Sequence, residues 1–179
     1  MRHRATIGEV SGRRYYEQIL DWLQVRSEDR EDALQVLHRS EANIALYPTV
    51  RDTLPQLRAR GYKVGVITNS VSQSADKLSW LRALDLQFTW DCFVNSAEVG
   101  CKKPDHRIFH TALEALQLRG PDVVFVGHHQ GEITAAKQCH MTTVLINPDP
   151  NVTRDFDYKI ELFNQLLQLP FHPPNTSER

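Results

Sequence analysis

The sequence predicts an α/β fold in which helices cover a parallel sheet, and three observations lead to this class. The first is the run Lys63–Thr68, whose β-branched residues are typical of a strand that is buried on both faces. The second is the alternation of strand-like and helix-like segments from that run to about Leu169, since alternating elements build parallel sheets through right-handed crossovers. The third is that polar residues follow each predicted strand, at the edge where parallel sheets bind ligands.

Three helices are predicted before or beside the first strand. Apolar residues recur at helical spacing in the first of them, Ser11–Val25. Ser27 is predicted to cap the second helix, because acidic residues that suit the first helical turn follow it. Thr49 and Asp52 resemble a capping box at the start of the third helix, which is predicted to end at Gly61.

The remaining elements alternate along the chain up to a polar tail that is rich in proline. That composition predicts a disordered segment at residues 170–179. The predicted elements are a helix at Gln73–Leu84, a strand at Cys92–Asn95, a helix entered through Pro104 and Asp105, a strand at Val123–Val126, a helix at Glu132–Gln138, a strand at Thr143–Ile146 and an amphipathic helix at about Tyr158–Leu169.

Composition excludes several classes of protein. Hydrophobic residues make up 41% and charged residues 24% of the chain, which is typical of a globular protein. A net charge of -1 gives no reason to expect a nucleic-acid or membrane partner, and no apolar run approaches the roughly 20 residues of a membrane helix. The three cysteines are an odd number without CxxC spacing, which predicts a cytoplasmic protein with free thiols.

Polar residues that suit phosphate and metal ions are predicted to meet at one edge of the sheet. Hydroxyl and amide groups donate to phosphate oxygens, a lysine neutralises phosphate charge, and a carboxylate can hold Mg²⁺. These groups follow successive strands as Thr68, Asn69 and Ser70, then Lys102 and Lys103, then His128, His129 and Glu132, and finally Asn147 and Asp149. The sequence therefore predicts that a hydroxyl, a lysine and an acidic or imidazole loop converge there.

Three stretches of the chain resemble the second, third and fourth motifs of the haloacid dehalogenase-like hydrolases in order and spacing. They are YPTVRDTLPQLRARGYKVGVITNS, VGCKKPDHRIFHTALEAL and VVFVGHHQGEITAAKQCHMTTVLIN, and they span about Tyr47–Asn147. The resemblance implies a Rossmann-like core at residues 47–169, preceded by an N-terminal segment and a small helical cap at residues 1–46. It also implies a phosphatase-type hydrolase that acts on a small phosphorylated molecule.

The resemblance assigns roles to four residues. Thr68 looks like the hydroxyl donor of the second motif, with Asn69 beside it as a substrate-binding residue. Lys103 looks like the lysine that neutralises the phosphate, because the family's lysine stands directly before the proline; the adjacent Lys102 is the alternative. Thr68 and Lys103 are thus implied to be catalytic, and Glu132 is implied to help bind Mg²⁺.

Two departures from the family pattern bear on activity. The aspartate that is expected directly after Gly127, or one residue later, is replaced by His128 or His129. Histidine is a poor partner for Mg²⁺, so Glu132 alone is expected to hold this ion weakly. The first motif, whose two aspartates include the nucleophile, is missing. We therefore expect a phosphatase-type hydrolase that is inactive as written, and the alternative is a non-catalytic relative that keeps the site as a binding or interaction surface.

The missing first motif also affects the expected sheet, because the family's nucleophile strand lies at its centre. Without that strand, two rows of backbone N–H and C=O groups lose their partners, at a cost of about 1–3 kcal/mol for each buried group. Either the remaining strands close up, or Arg4–Val10 fills the gap, or the chain as written starts late. The last interpretation is preferred, and an Asp-x-Asp sequence encoded upstream of Met1 would support it.

Overall fold

The computed structural model describes residues 1–150, 152 and 155–172, and it confirms the predicted α/β class with parallel strands. Among these residues, no helix is both long and apolar enough to cross a membrane. The helices are α1 (Arg2–Thr6), α2 (Gly12–Trp22), α3 (Arg30–Ala42), α4 (Val50–Ala59), α5 (Ser74–Ala83), α6 (Ser96–Val99), α7 (His106–Leu116) and α8 (Gln130–Gln138). The strands are β1 (Gly65–Thr68), β2 (Cys92–Asn95), β3 (Val124–Gly127), β4 (Thr142–Ile146) and β5 (Tyr158–Ile160). Short 3₁₀ helices occupy Ser27–Asp29, Gly120–Asp122 and Phe163–Gln168.

The strands form two separate sheets. β3, β4 and β5 form a three-stranded parallel sheet with β4 at its centre, and Val124 lies opposite Thr142 in its first pair. β1 and β2 form a second sheet of two strands. In the described part of the chain the remaining strands therefore do not close up into one ladder. The prediction that the first strand is buried on both faces is also wrong, because Gly65 is exposed and the other residues of β1 are half-buried.

The chain folds into two compact units. The first comprises Met1–Ala45, Thr68–Gln87 and Asn95–Lys102, and the second comprises Leu46–Ile67, Phe88–Val94 and the chain from Lys103 onward. The boundary predicted between a cap at residues 1–46 and a core at residues 47–169 stays a prediction. Of the tail predicted to be disordered, residues 173–179 lie outside the described residues.

The N-terminal segment belongs to the first unit and is helical, so the hypothesis that Arg4–Val10 fills the gap between strands is wrong. After α1 the chain turns at Gly8, whose φ of +74° is a left-handed conformation that glycine adopts without strain. A Cβ atom at Gly8 would lie 2.1 Å from the carbonyl oxygen of Ala97, so this close approach also requires glycine. Burial of Ala5 fixes α1 in the apolar core of this unit. The buried members of that core are Ala5, Tyr16, Leu20, Leu34 and Val71.

The second unit has helices on both faces of its three-stranded sheet. On one face, Val126 packs in an apolar cluster with Leu57 of α4 and Leu166 of the last 3₁₀ helix. On the other face, Phe109 of α7 meets Phe125 of β3 with ring centroids 5.3 Å apart. Successive residues of a strand point to opposite faces, which explains why Phe125 and Val126 contact different helices.

The helix predicted at Tyr158–Leu169 is wrong. The residues Tyr158–Ile160 form β5, which pairs with β4, and a 3₁₀ helix follows at Phe163–Gln168. Contacts between distant parts of the sequence decide this outcome. Thr143 N donates a 2.9 Å hydrogen bond to Asp157 Oδ2, which fixes the chain directly before β5 against β4.

Two predicted helix caps are also wrong. Thr49 precedes α4 without capping it, because its φ is +68° and its hydroxyl accepts a 3.0 Å hydrogen bond from Asn164 N. Ser27 begins a 3₁₀ helix, and α3 starts only at Arg30. The cap at Thr49 was inferred from neighbouring residues. Asn164, whose N–H donates to the Thr49 hydroxyl, is 115 positions away in the sequence.

Candidate functional site

Lys103 and Glu132 form an ion pair in the second unit. Lys103 Nζ lies 3.1 Å from Glu132 Oε2, and only 13% of each side chain is exposed. Lys103 stands before Pro104 and α7, whereas Glu132 lies in the first turn of α8, directly after β3. Lys103 Nζ also lies 5.9 Å from the ring centroid of Phe125 on β3. The structure therefore brings together two of the residues that were predicted for the site.

The start of α8 has a cap that sequence reasoning missed. His129 Nδ1 accepts a 3.2 Å hydrogen bond from Gly131 N, one of the N–H groups that a helix start leaves without a partner in the helix. Rules for helix caps favour hydroxyl, carboxylate and amide side chains, so they gave no signal for an imidazole. The helix dipole at this end favours a negative charge, which suits Glu132 in the first turn and would also suit a bound anion.

The side chains at this edge do not fit Mg²⁺, the ion that the family resemblance implies. Mg²⁺ prefers oxygen ligands in a near-octahedral arrangement, and the carboxylate of Glu132 is already neutralised by Lys103. His128 and His129 offer nitrogen, and one nitrogen of His129 is engaged at the helix start. Across residues 1–150, 152 and 155–172, no three side chains of histidine, cysteine, aspartate or glutamate are grouped to hold a metal ion. A metal-dependent step has no support in this donor set.

Thr68 is the last residue of β1, and side-chain hydrogen bonds hold the loop that follows it. Ser70 N donates to Ser96 Oγ at 3.0 Å, and Asn95 Nδ2 donates to Ser72 O at 2.8 Å. All four of these residues are buried within the first unit. These hydrogen bonds fix the conformation of the loop that follows Thr68.

The first unit also contains a polar pocket of about 290 Å³. Asn69 lines it together with Lys102, Arg2 and His3, and Glu41 contributes a carboxylate. Three of these side chains can carry positive charge, so the pocket suits a small anion. Lys102, the alternative to Lys103, thus shares a pocket with Asn69. Arg2 and His3 were not predicted to line a pocket, although the basic start MRHR is a signal that the sequence contains.

Comparison with known proteins places these features in a family. The model of the family described as haloacid dehalogenase-like hydrolase matches residues 5–146. The glyceraldehyde 3-phosphate phosphatase of Methanothermobacter thermautotrophicus is 33% identical over 104 residues, which are 58% of this chain and 45% of that protein. The (S)-2-haloacid dehalogenase 4A of Burkholderia cepacia is 27% identical over 124 residues, which are 69% of this chain and 53% of that protein. The chain thus spans about half the length of these curated relatives.

A similar fold is known from a solved structure, the 2-haloacid dehalogenase from Pseudomonas syringae pv. Tomato DC3000. Its TM-score is 0.67 at 25% sequence identity, and the match covers 87% of this chain and 68% of that chain. The family match includes β1, β3 and β4 with the loops that carry Thr68, Lys103 and Glu132. The chain therefore belongs to the haloacid dehalogenase-like hydrolases.

Proposed function

We propose that the chain is a phosphatase-type hydrolase whose Lys103 binds the phosphoryl group of a small phosphorylated molecule, and that residues 1–179 alone do not hydrolyse it. The similarity to a glyceraldehyde 3-phosphate phosphatase supports a phosphorylated ligand. Residues 1–179 do not contain the first motif, and the side chains around Glu132 are poor ligands for Mg²⁺. Both observations support a lack of turnover by residues 1–179 alone.

The ion pair between Lys103 and Glu132 is the observation that carries the binding proposal. It fixes the lysine ammonium beside the N-terminus of α8, where the helix dipole adds partial positive charge. Lysine binds phosphate as a point charge, and a phosphate group has more charge and more acceptor oxygens than the carboxylate that now holds Nζ. An incoming phosphate can therefore compete with Glu132 for this ammonium group.

Hydrolysis needs a nucleophile and a metal ion, and residues 1–179 supply neither a suitable aspartate nor good metal ligands beside Lys103. Transfer of a phosphoryl group to the enzyme requires a nucleophile, and the aspartate pair that provides one in the family's first motif is missing from the sequence. Charge that develops on the transferred group is normally neutralised by a metal ion, for which His128 and a paired Glu132 are poor ligands. Positioning by Lys103 and Thr68 alone does not replace the attacking group.

A second candidate function is non-catalytic binding, and one contact favours it. Glu132 matches the family's trailing metal-binding acid, yet it serves as the counter-charge of Lys103. A relative with that arrangement can retain a phosphorylated molecule without converting it.

We place the protein in the cytoplasm, without a nucleic-acid or membrane partner. The three cysteines are free and buried, which suits a reducing compartment. The net charge of -1 gives no reason to expect nucleic acid or anionic lipid as a partner.

Two measurements on residues 1–179 test the proposal: calorimetric titration with inorganic phosphate, and hydrolysis of 4-nitrophenyl phosphate with and without Mg²⁺. We expect phosphate to bind, and Lys103→Ala to weaken binding by about tenfold or more, because a charge-assisted contact is lost. Lys102→Ala tests the alternative site, since it removes the adjacent lysine, which lies outside the ion pair and lines the polar pocket with Asn69. If Lys103 holds the phosphate, Lys102→Ala should leave this binding unchanged. No Mg²⁺-dependent hydrolysis is expected in any variant.

Three outcomes would overturn parts of the proposal. Loss of binding in Lys102→Ala but not in Lys103→Ala would assign phosphate to the polar pocket that Asn69 lines. Absence of phosphate binding in the wild type would remove the proposed ligand. Robust hydrolysis that Lys103→Ala abolishes would show that the chain is catalytic.

The double variant Lys103→Met/Glu132→Gln removes the charge pair as a unit, so it separates a loss of binding from a loss of folding.

A further inference from the structure

The polar pocket of the first unit combines side chains of both charges. Arg2 and His3 of α1 and Lys102 after α6 are its basic groups, and Glu41 of α3 adds a carboxylate. A volume of about 290 Å³ is at the small end of ligand pockets, so the pocket suits a small molecule. Arg2, His3 and Glu41 have no part in the family resemblance, so the ligand has to be inferred from the chemistry of the lining.

Glu41 does not pair with the basic groups that share its pocket. Within the part of the chain that the structure describes, no ion pair or hydrogen bond joins Glu41 to Arg2, His3 or Lys102. Opposite charges that line one small pocket without touching leave room for a ligand between them. Such a lining favours a ligand that brings a group of opposite charge to each side.

The neighbour of Glu41 in the apolar core is Tyr16, whose hydroxyl group is buried. Among the described residues this hydroxyl makes no hydrogen bond. Burial raises the pKa of the Tyr16 hydroxyl, and the nearby carboxylate of Glu41 raises it further, so the hydroxyl keeps its proton at neutral pH. A neutral hydroxyl does not neutralise a carboxylate. Glu41 therefore remains a negative charge that can attract a positively charged group of a ligand.

The pocket has a buried base and an exposed entrance. Thr6, Ser70 and Val71 are buried, whereas Arg2 and His3 are exposed. Thr6 Oγ1 donates a 2.8 Å hydrogen bond to Arg2 O, which fixes the backbone of α1 at this place. A small polar ligand can enter from the solvent and lose part of its hydration at the base, where its charge contacts become stronger.

We propose that this pocket binds a small acidic amino acid, with its ammonium group at Glu41 and its two carboxylates at Arg2 and Lys102. Arg2 and Lys102 are both positively charged at neutral pH, and among the described residues that line the pocket Glu41 is the one acid. A ligand with one ammonium group and two carboxylates matches this distribution of charge. The guanidinium group of Arg2 can bind a carboxylate through two parallel hydrogen bonds. Lys103 does not line the pocket, so this proposal does not rest on the proposed phosphate binding.

Nuclear magnetic resonance titrations of residues 1–179 test the proposal. L-aspartate is the probe, and succinate is the matched control because it has the same two carboxylates without the ammonium group. Both titrations are followed through the amide signals of Ser70 and Val71, which lie at the base of the pocket. L-aspartate should bind more tightly than succinate by about fivefold or more, since succinate brings no positive charge to Glu41.

Two variants locate the groups that recognise the ligand. Glu41→Gln keeps the size of the side chain and removes its charge, so the affinities for L-aspartate and succinate should come within about twofold of each other. Partial unfolding would weaken both ligands alike and would not change this preference. Lys102→Ala should weaken both ligands by about fivefold or more. Glu114→Gln is the control, because it removes an exposed carboxylate from α7 of the second unit and should leave both affinities unchanged.

Four outcomes would overturn the proposal. Equal binding of L-aspartate and succinate by the wild type would show that the pocket takes a plain dicarboxylate. Unchanged Ser70 and Val71 signals during the L-aspartate titration would show that the pocket does not bind the amino acid. An unchanged preference in Glu41→Gln would remove Glu41 from recognition. Loss of L-aspartate binding in Lys103→Ala but not in Lys102→Ala would assign the ligand to the ion pair of the second unit.

Discussion

Removing one charge of the Lys103–Glu132 pair should destabilise the protein more than the pair itself contributes. At 3.1 Å, Coulomb's law with an effective dielectric constant of about 20 gives an attraction of about 5 kcal/mol before the loss of hydration is subtracted. Only 13% of each side chain is exposed, so Glu132→Gln leaves the lysine ammonium unpaired and poorly hydrated. We expect Lys103→Met and Glu132→Gln each to lower the free energy of unfolding by about 2–3 kcal/mol, and the double variant to lower it by less than the sum.

A double-mutant cycle in urea at neutral pH measures this coupling, which we expect to be about 1–3 kcal/mol. The control is the same cycle on Arg119 and Asp122, whose charged atoms are 3.0 Å apart although 83% of the arginine side chain is exposed. No measurable coupling is expected for that pair, because water and salt screen it. Additive effects at Lys103 and Glu132, to within about 0.5 kcal/mol, would refute the reasoning.

Burial and hydrogen bonding set two further measurable properties. Burial opposes ionisation of Asp157, but hydrogen bonds from Lys137 and Thr143 outweigh it and hold the pKa of this carboxyl below its ordinary value. Its stabilisation is therefore present above the unfolded pKa of about 3.9 and is lost as the pH falls through the folded pKa. The destabilisation caused by Asp157→Asn in urea unfolding should accordingly shrink from neutral pH toward about pH 2, and a constant difference would contradict this assignment. Burial also raises the pKa of the thiols of Cys92 and Cys139, so a thiol reagent should modify them far more slowly in the native protein than in urea, and equal rates would show that they are accessible.

Sequence was sufficient for elements whose signals are local. α7 begins where its entry was predicted, since Asp105 Oδ1 accepts a 2.9 Å hydrogen bond from Arg107 N. β3 and β4 lie within one residue of their predicted bounds. Lys103 and Glu132 were predicted for one site because each follows a strand of a parallel set, and the two side chains are in contact.

Features that depend on contacts between distant segments could not be predicted. Tyr158–Ile160 has a pattern compatible with a helix, and only its pairing with β4 makes it a strand. The contact of Glu132 with Lys103 could not be read from the sequence, and the role of Glu132 in metal binding stays a prediction. The sequence also did not decide whether the strands form one sheet or two, because side-chain periodicity does not show which strands become neighbours.

An apolar cleft of about 470 Å³ lies between β1 and β3, and its lining bears on how the protein aggregates. An open strand edge on a flat surface can stack against the edge of another sheet and start aggregation. The cleft-side edges at Ile67 and Val126 lie instead in a slot that is also lined by α4 and α7. The native protein is thereby shielded from edge-to-edge stacking, and aggregation should begin only after α4 or α7 has detached.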